Sequence, residues 1–244
     1  MVITSNSNNQ ISLLRKLQAD KKYRLEEGKY CIEGARLVKE AIKFGKKILA
    51  IYVAESVQDK FNFVADCPIT VVADTVFATI SQTVNSQGVV AVVALPQATL
   101  VAPQGKCLIV ENLQDPGNLG TLLRTAVATG YNDVYLCNST DVYAPKVIRS
   151  AMSAHFALNL HFGSINQVFD VVSNVCQIVC ADMDGTNAFE FVSNKPVALV
   201  LGNEGNGLSD FARQNCHNVV SLPMKNNLES LNVAVAGSVL MYLL

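Results

Sequence analysis

One arginine, one glutamate and three small polar residues stand near the ends of apolar runs, where chemistry is easiest to build. Arg124 lies in the segment 111–130, ENLQDPGNLGTLLRTAVATG, whose Leu119, Leu122, Leu123, Ala126 and Val127 are spaced to bury one helical face. Arg124 falls off that face, so its guanidinium can reach a phosphate or carboxylate without entering the core. Asn118 opens the same segment, just after the polar turn Gln114-Asp115-Pro116-Gly117. Glu204 sits among the glycines of VALVLGNEGNGLSD (197–210). The spacing there is G-x-x-G-x-G, which is not the dinucleotide fingerprint, and the G-K-[ST] of a phosphate loop is missing. A carboxylate at that turn would repel a pyrophosphate but would suit a cationic ligand such as a sulfonium. In the last segment, 221–244, Ser230 is placed to cap an apolar helix, and Asn232 needs a partner for its amide. Taken singly, each has a plain alternative: a surface arginine, a tight strand-to-helix turn, a helix cap.

The elements around these residues form two alternating series. Amphipathic helices are expected from Gln10 to Tyr30 and from Ala35 to Phe44. Strands follow at 48–54, 68–72 and 89–95, with a polar helix near 56–63 and a short one from Asp74. Residues 96–105, PQATLVAPQG, have two prolines and no period, and read as a linker between a domain at 1–95 and one at 106–244. The second series has strands at 107–110, 133–137, 158–162, 177–181, 197–202 and 218–223. Helices are expected after Asn118, around 145–153, near 165–174 and from Ser230. Continuous Val/Ile/Leu strands point to a parallel sheet covered on both faces, hence an α/β protein.

Net charge is only −1, yet residues 1–50 hold 11 of the 19 Lys and Arg against 5 of the 20 Asp and Glu. A surplus of six positive charges in that segment suits a polyanionic partner as well as a solvated helix face. The seven cysteines lack a C-x-x-C pair and do not cluster with the three histidines, so reduced thiols in a cytoplasmic protein are expected, with no metal site. The start, MVITSNSNNQ, lacks the pattern of a secretory signal, and the apolar C-terminus is too short for a membrane span of about 20 residues.

In combination the three segments are more specific. Asn112, the D-P-x-N-x-G-x-x-x-R-T-A run from Asp115 to Ala126, the G-N-E-x-x-G-L run from Gly202 to Leu208, and L-P-M…S-L-N-V from Leu222 to Val233 resemble the SpoU/TrmH branch of the SPOUT RNA methyltransferases. The resemblance covers about 140 residues. It implies a C-terminal trefoil-knot domain that binds S-adenosylmethionine and methylates a ribose 2′-hydroxyl of structured RNA, ribosomal ahead of transfer RNA. Leu201, Gly202, Leu222, Met224 and Leu231 would line the cofactor pocket. Arg124 would act on the hydroxyl, with Asn118, Glu204, Ser230 and Asn232 as orienting groups. It also implies a homodimer through the knot domain, with Arg124 serving its own or the partner's pocket. KYCIEGARLVKEAI (29–42) resembles the opening of the ribosomal-protein-like RNA-binding domain that precedes the knot in many members. Lys21, Lys22, Arg24 and Arg36 are then candidate phosphate contacts. This chain departs from the family's usual pattern at Ser153, where a small residue, often glycine, is usual, at His155, and in its short C-terminus.

Two other readings compete with methyl transfer. One is a non-catalytic RNA-binding protein of the same fold, which an altered residue at position 124 or 204 would have favoured. The other is a nucleotide-dependent enzyme acting on small molecules, which the glycine spacing disfavours.

Overall fold

Asp20 settles how the basic N-terminal segment folds. Its carboxylate accepts the N–H groups of Lys22 and Tyr23 at 2.8 and 3.3 Å, so one helix ends and another begins at the same residue. The result is α1 (Asn9–Ala19) and α2 (Lys21–Glu27), the latter closed by Gly28 at φ 62°. The computed structural model describes residues 2–64, 66–97, 99–226 and 230–244. Around these helices lie β1 (Val2–Ile3), β2 (Lys29–Glu33), α3 (Ala35–Lys43), β3 (Ile48–Ala54), β4 (Ile69–Val72), α4 (Asp74–Phe77) and β5 (Val89–Ala94). The expected polar helix after β3 is a 3₁₀ turn, Glu55–Lys60. The sheet order is β1-β4-β3-β5-β2, with β5 antiparallel to both neighbours and the rest parallel. Ile11, Leu14 and Leu17 of α1 cover one face and pack with Cys31, Tyr52, Val90 and Val92.

The chain continues through β6 (Cys107–Glu111), α5 (Pro116–Thr129) and β7 (Asp133–Cys137). The helix expected over 145–153 is broken into α6 (Pro145–Ala151) and α7 (Ala154–Ala157), because Met152 and Ser153 both adopt positive φ, 48° and 78°. By its contacts, Tyr143–Phe156 belongs to one compact unit with Met1–Gln97, whereas Ala98–Val142 and Ala157–Leu244 form the other.

That second unit is completed by β8 (Asn159–Phe162), α8 (Ile165–Val172), β9 (Gln177–Asn187), β10 (Val197–Leu201), α9 (Asp210–Asn215), β11 (Asn218–Ser221) and α10 (Val233–Leu243). Its sheet runs β11-β9-β10-β6-β7-β8 and every pair is parallel. All residues of β6, β7 and β10 are buried, as a sheet covered on both faces requires. Strand β9 outruns its apolar stretch. After a register shift, Thr186 and Asn187 pair with Val220 and Ser221, and a Cβ on Gly185 would run into the Val220 backbone. The 96–105 segment is pinned to this unit: the Tyr135 hydroxyl donates to the Val101 carbonyl at 2.7 Å, and His161 lies 2.6 Å from the Thr99 carbonyl and 2.9 Å from Asp133. Among the described residues, no helix is long and apolar enough to cross a membrane.

Candidate active site

Helix α5 owes its start to Asp115, whose side chain accepts the Asn118 N–H at 2.8 Å, and to Pro116 at the first helical position. Leu119, Leu122, Leu123 and Ala126 face the core, which leaves Thr121 and Arg124 exposed on the opposite side. The loop after β10 approaches this helix start. It is a tight hairpin in which Asn203 and Gly207 exchange backbone hydrogen bonds of 2.8 and 3.0 Å. Gly202 has to be glycine there, since a Cβ would overlap the backbone of Gly207.

The hairpin aims Glu204 at the turn before α5. One carboxylate oxygen accepts the Asp115 N–H at 2.9 Å and the Asn118 side-chain amide at 3.2 Å, and the other accepts the Gln114 N–H at 3.2 Å. Partial burial pushes this carboxyl up, but the N–H groups of Asp115 and Glu204, the Asn118 amide and the Gln114 N–H outweigh it, so it lies below its ordinary value. Beside it, the Asn203 side chain donates to the Asn112 carbonyl at 2.8 Å while its oxygen accepts from Gly205 and Asn206. Asn138 holds the Asn112 side chain at 2.8 Å, and both asparagines adopt left-handed backbone, φ 49° and 55°.

Asn118 joins this lock to the last motif. Because a carboxylate only accepts, the Asn118 amide group must face Glu204, which turns its oxygen towards Asn232. The Asn232 amide donates to that oxygen at 3.0 Å. The other end of Asn232 caps α10, accepting the N–H groups of Ala234 and Val235 at 2.9 and 3.3 Å. The expected cap at Ser230 is therefore corrected: the helix opens two residues later, because Asn232 satisfies the first-turn donors and Asn118 together. Helix α10 then packs closely on α5 and β10, since a Cβ on Gly237 would overlap Leu201 and Leu122.

The structure thus brings Asn118, Glu204 and Asn232 into one network and leaves Arg124 and Ser230 outside it. Both are exposed and make no side-chain hydrogen bond or ion pair with the described residues. Leu201 is 1% exposed and its side chain meets Gly237, so its side chain is not available to a ligand. Leu222 and Met224 are half-buried and Leu231 is exposed. The backbone groups of these three make no hydrogen bond to the described residues. Sequence reasoning missed the locking roles of Asn203 and Asn138; the asparagine beside each motif was the available signal.

Of the basic candidates in the first unit, Lys21, Lys22 and Arg36 are exposed. Arg24 is a correction. It is 4% exposed, and its guanidinium donates to the carbonyls of Leu17 and Gln18 at 2.6 and 3.3 Å, satisfying the end of α1. It offers little to a phosphate.

Residues 105–242 match the model of the SpoU rRNA Methylase family. The chain belongs to this family. Residues 8–91 match an MRM3-like substrate binding domain. Across 98% of its length the chain is 30% identical to the 23S rRNA (guanosine(2553)-2′-O)-methyltransferase of Bacillus subtilis, covering 97% of that protein. It is also similar to an S-adenosylmethionine-bound rRNA methyltransferase from Sinorhizobium meliloti, with 26% identity, a TM-score of 0.89 and coverage of 100% of this chain and 96% of that one. A solved RNA 2′-O ribose methyltransferase superposes with a TM-score of 0.82 at 29% identity, over 100% of this chain and 97% of that one.

Proposed function

We propose that this chain transfers the methyl group of S-adenosylmethionine to a ribose 2′-hydroxyl of RNA, ribosomal ahead of transfer RNA. The observation that carries this reading is the Asn232–Asn118–Glu204 chain, which ties the three motif segments together at the start of the helix bearing Arg124. The two relatives named as rRNA methyltransferases support ribosomal RNA as the substrate class.

The residues at the motif loops fit the cofactor. Leu222, Met224 and Leu231 offer apolar surface beside backbone groups that make no hydrogen bond to the described residues, which is what an adenine ring and its edge require. Leu201 and Gly202 would contribute backbone. When bound there, S-adenosylmethionine supplies an electrophilic methyl. Both oxygens of Glu204 hold protein donors, which keeps the carboxylate ionised and fixed at the turn before α5. Its work, with Asn118 and Asn232, is positional. A guanidinium is a poor base, so Arg124 stabilises the negative charge that develops on the ribose oxygen. The hydroxyl proton passes to an adjacent RNA phosphate. Ser230 orients the ribose, and Lys21, Lys22 and Arg36 contact phosphates.

The assembly proposed is a homodimer. Val235, Val239, Tyr242 and Leu243 form an exposed apolar stripe on α10, 37–72% accessible, which a second copy would cover. Arg124 then serves the partner's pocket. The return of the chain from the edge strand β11 to α10 is read as the threaded passage of the knot. The expected domains 1–95 and 106–244 would divide RNA binding from catalysis, with Tyr143–Phe156 grouped with the RNA-binding side, and the seven free cysteines suit a reducing compartment such as the cytoplasm.

Calorimetry with S-adenosylmethionine tests the reading directly, and absence of binding at millimolar concentration would remove it. Arg124→Ala should keep cofactor affinity and lose methyl transfer by roughly 100-fold or more. Equal transfer rates in the variant and the wild type would refute the role given to Arg124.

A further inference from the structure

The first unit contains a cleft of about 170 Å³ that the proposed chemistry does not use. It lies between α3 and the α6–α7 turn, with Arg36, Leu37 and Glu40 on one side and Ile148, Arg149 and Met152 on the other. Arg149 is its unusual feature. The guanidinium has no hydrogen bond or ion pair with the described residues, and its Nη1 is buried from solvent with no partner. A buried, unpaired N–H on a charged group is costly and calls for an acceptor, which a water, an ion or a ligand can supply.

The rest of the lining decides what that ligand is. Glu33 is already satisfied, since its carboxylate accepts from Ser81, Thr83, Ser86 and the Gln82 N–H. Glu40 is not: its carboxylate makes no hydrogen bond or ion pair with the described residues. Two carboxylates beside the guanidinium disfavour a bare phosphate. A group with acceptors along one edge, donors along the next and apolar faces fits better. The volume is below the roughly 300–1,000 Å³ of sites for drug-sized ligands and suits a single planar ring system. Guanine has this pattern. Its O6 and N7 accept from an arginine fork, and its N1–H and N2 amino group donate to a carboxylate. Leu37 and the exposed Met152 provide apolar surface for its faces.

We infer that the cleft between α3 and the α6–α7 turn receives an unpaired guanine base of the substrate RNA, read by Arg149 and Glu40, with Arg36 at the rim for the adjoining phosphate. This rests on the reading of RNA as substrate. It assigns the α6–α7 segment a part in choosing the RNA, since single-stranded RNA is commonly recognised by bases splayed into protein pockets.

The test is fluorescence anisotropy of the full chain with labelled uridine heptamers carrying guanine, inosine, adenine or uracil at the centre. Wild-type protein should favour the guanine oligomer over the all-uridine one by about tenfold, with inosine in between because it lacks the N2 amino group. Arg149→Ala should remove the preference while all-uridine binding stays within about twofold. Glu40→Gln should bring guanine down to the inosine level. A melting curve checks that each variant folds, and the wild-type base series is decisive without any variant. Equal affinity for all four oligomers overturns the inference. So does an equal loss on every oligomer in Arg149→Ala, which is the signature of a phosphate contact. Calorimetry with S-adenosylmethionine on the same samples separates the two readings: cofactor binding without base preference sinks this one alone, and base preference without cofactor binding sinks only the methyl transfer.

Discussion

The lock at the start of α5 and the turn between α6 and α7 handle polar groups in opposite ways. In the lock, Asn118, Asn203, Glu204 and Asn232 each have both ends of the side chain engaged within the protein. At the α6–α7 segment, Nη1 of Arg149 and both ring nitrogens of His155 are buried without partners. Two consecutive residues with side chains there adopt left-handed backbone. A fully connected network is rigid and holds its neighbours in one arrangement. Uncompensated desolvation and backbone strain lower stability, and they persist where another requirement holds them. One region thus holds its polar groups in a single arrangement, whereas the other leaves polar groups uncompensated.

Removing the centre of the lock should have the largest effect. Glu204→Ala leaves the Gln114 and Asp115 N–H groups and the Asn118 amide without their acceptor, so the turn that starts α5 loses its anchor. Small misplacements of catalytic groups cost about 100-fold in rate, and a fall of that size is expected in methyl transfer. Glu204→Gln should recover only part of it, because an amide presents donors to N–H groups. Transfer assays on both variants decide the point. A wild-type rate in Glu204→Ala would show that the network is ornamental to the reaction and would erase the contrast drawn here.

His155 gives the next effect, in the opposite region. Burial holds its ring at about pKa 3, with Lys46 adding to the same direction. The unfolded chain takes up this proton below about pH 6.5, whereas the folded one does not until near pH 3. Stability is therefore complete above pH 6.5 and is lost as the pH falls towards 3. At pH 5 the loss is about 2 kcal/mol, from 1.5 pH units below the unfolded value. Urea unfolding of the wild type and His155→Leu at pH 7 and pH 5 measures it. The variant should lose most of the difference between the two pH values. An identical pH dependence in both proteins would mean that the ring is solvated or paired after all.

What was legible in the sequence follows the same physics. The strands β6, β7 and β10 are buried on both faces, so the apolar runs Cys107–Val110, Val134–Cys137 and Val197–Leu201 announce them. The second half of β9 is not announced, because Asp182-Met183-Asp184-Gly185-Thr186-Asn187 is polar and largely exposed, and pairs only with the edge strand β11. Strand β2 is masked by its position between two helical patterns and becomes a strand only through β5. Within the site, residue types and order pointed to Asn118, Glu204 and Asn232. The choice between Ser230 and Asn232 as cap could not be read locally, since both are good caps and the deciding partner, Asn118, is 114 residues away. Arg24 misled for a similar reason. A cation on a basic helix looks solvated until Asp20 breaks that helix and turns two carbonyls towards it.

The smallest predicted effect is a gain. Ser153 has φ 78°, in the left-handed region that glycine enters freely and side chains enter at a cost. Glycine is also what the family resemblance leads one to expect at this position. Ser153→Gly should therefore raise stability by about 1 kcal/mol, less a few tenths for the greater freedom of glycine in the unfolded chain. Met152 next to it has φ 48°, and both residues line the cleft, but only the change at Met152 would remove apolar surface along with strain. Ser153→Gly should raise the urea midpoint and disturb the oligomer base preference far less than Met152→Gly, which should weaken it. If Ser153→Gly lowered the midpoint, the serine would be stabilising the turn through an interaction of its own, and the strain assigned to this region would have to be halved.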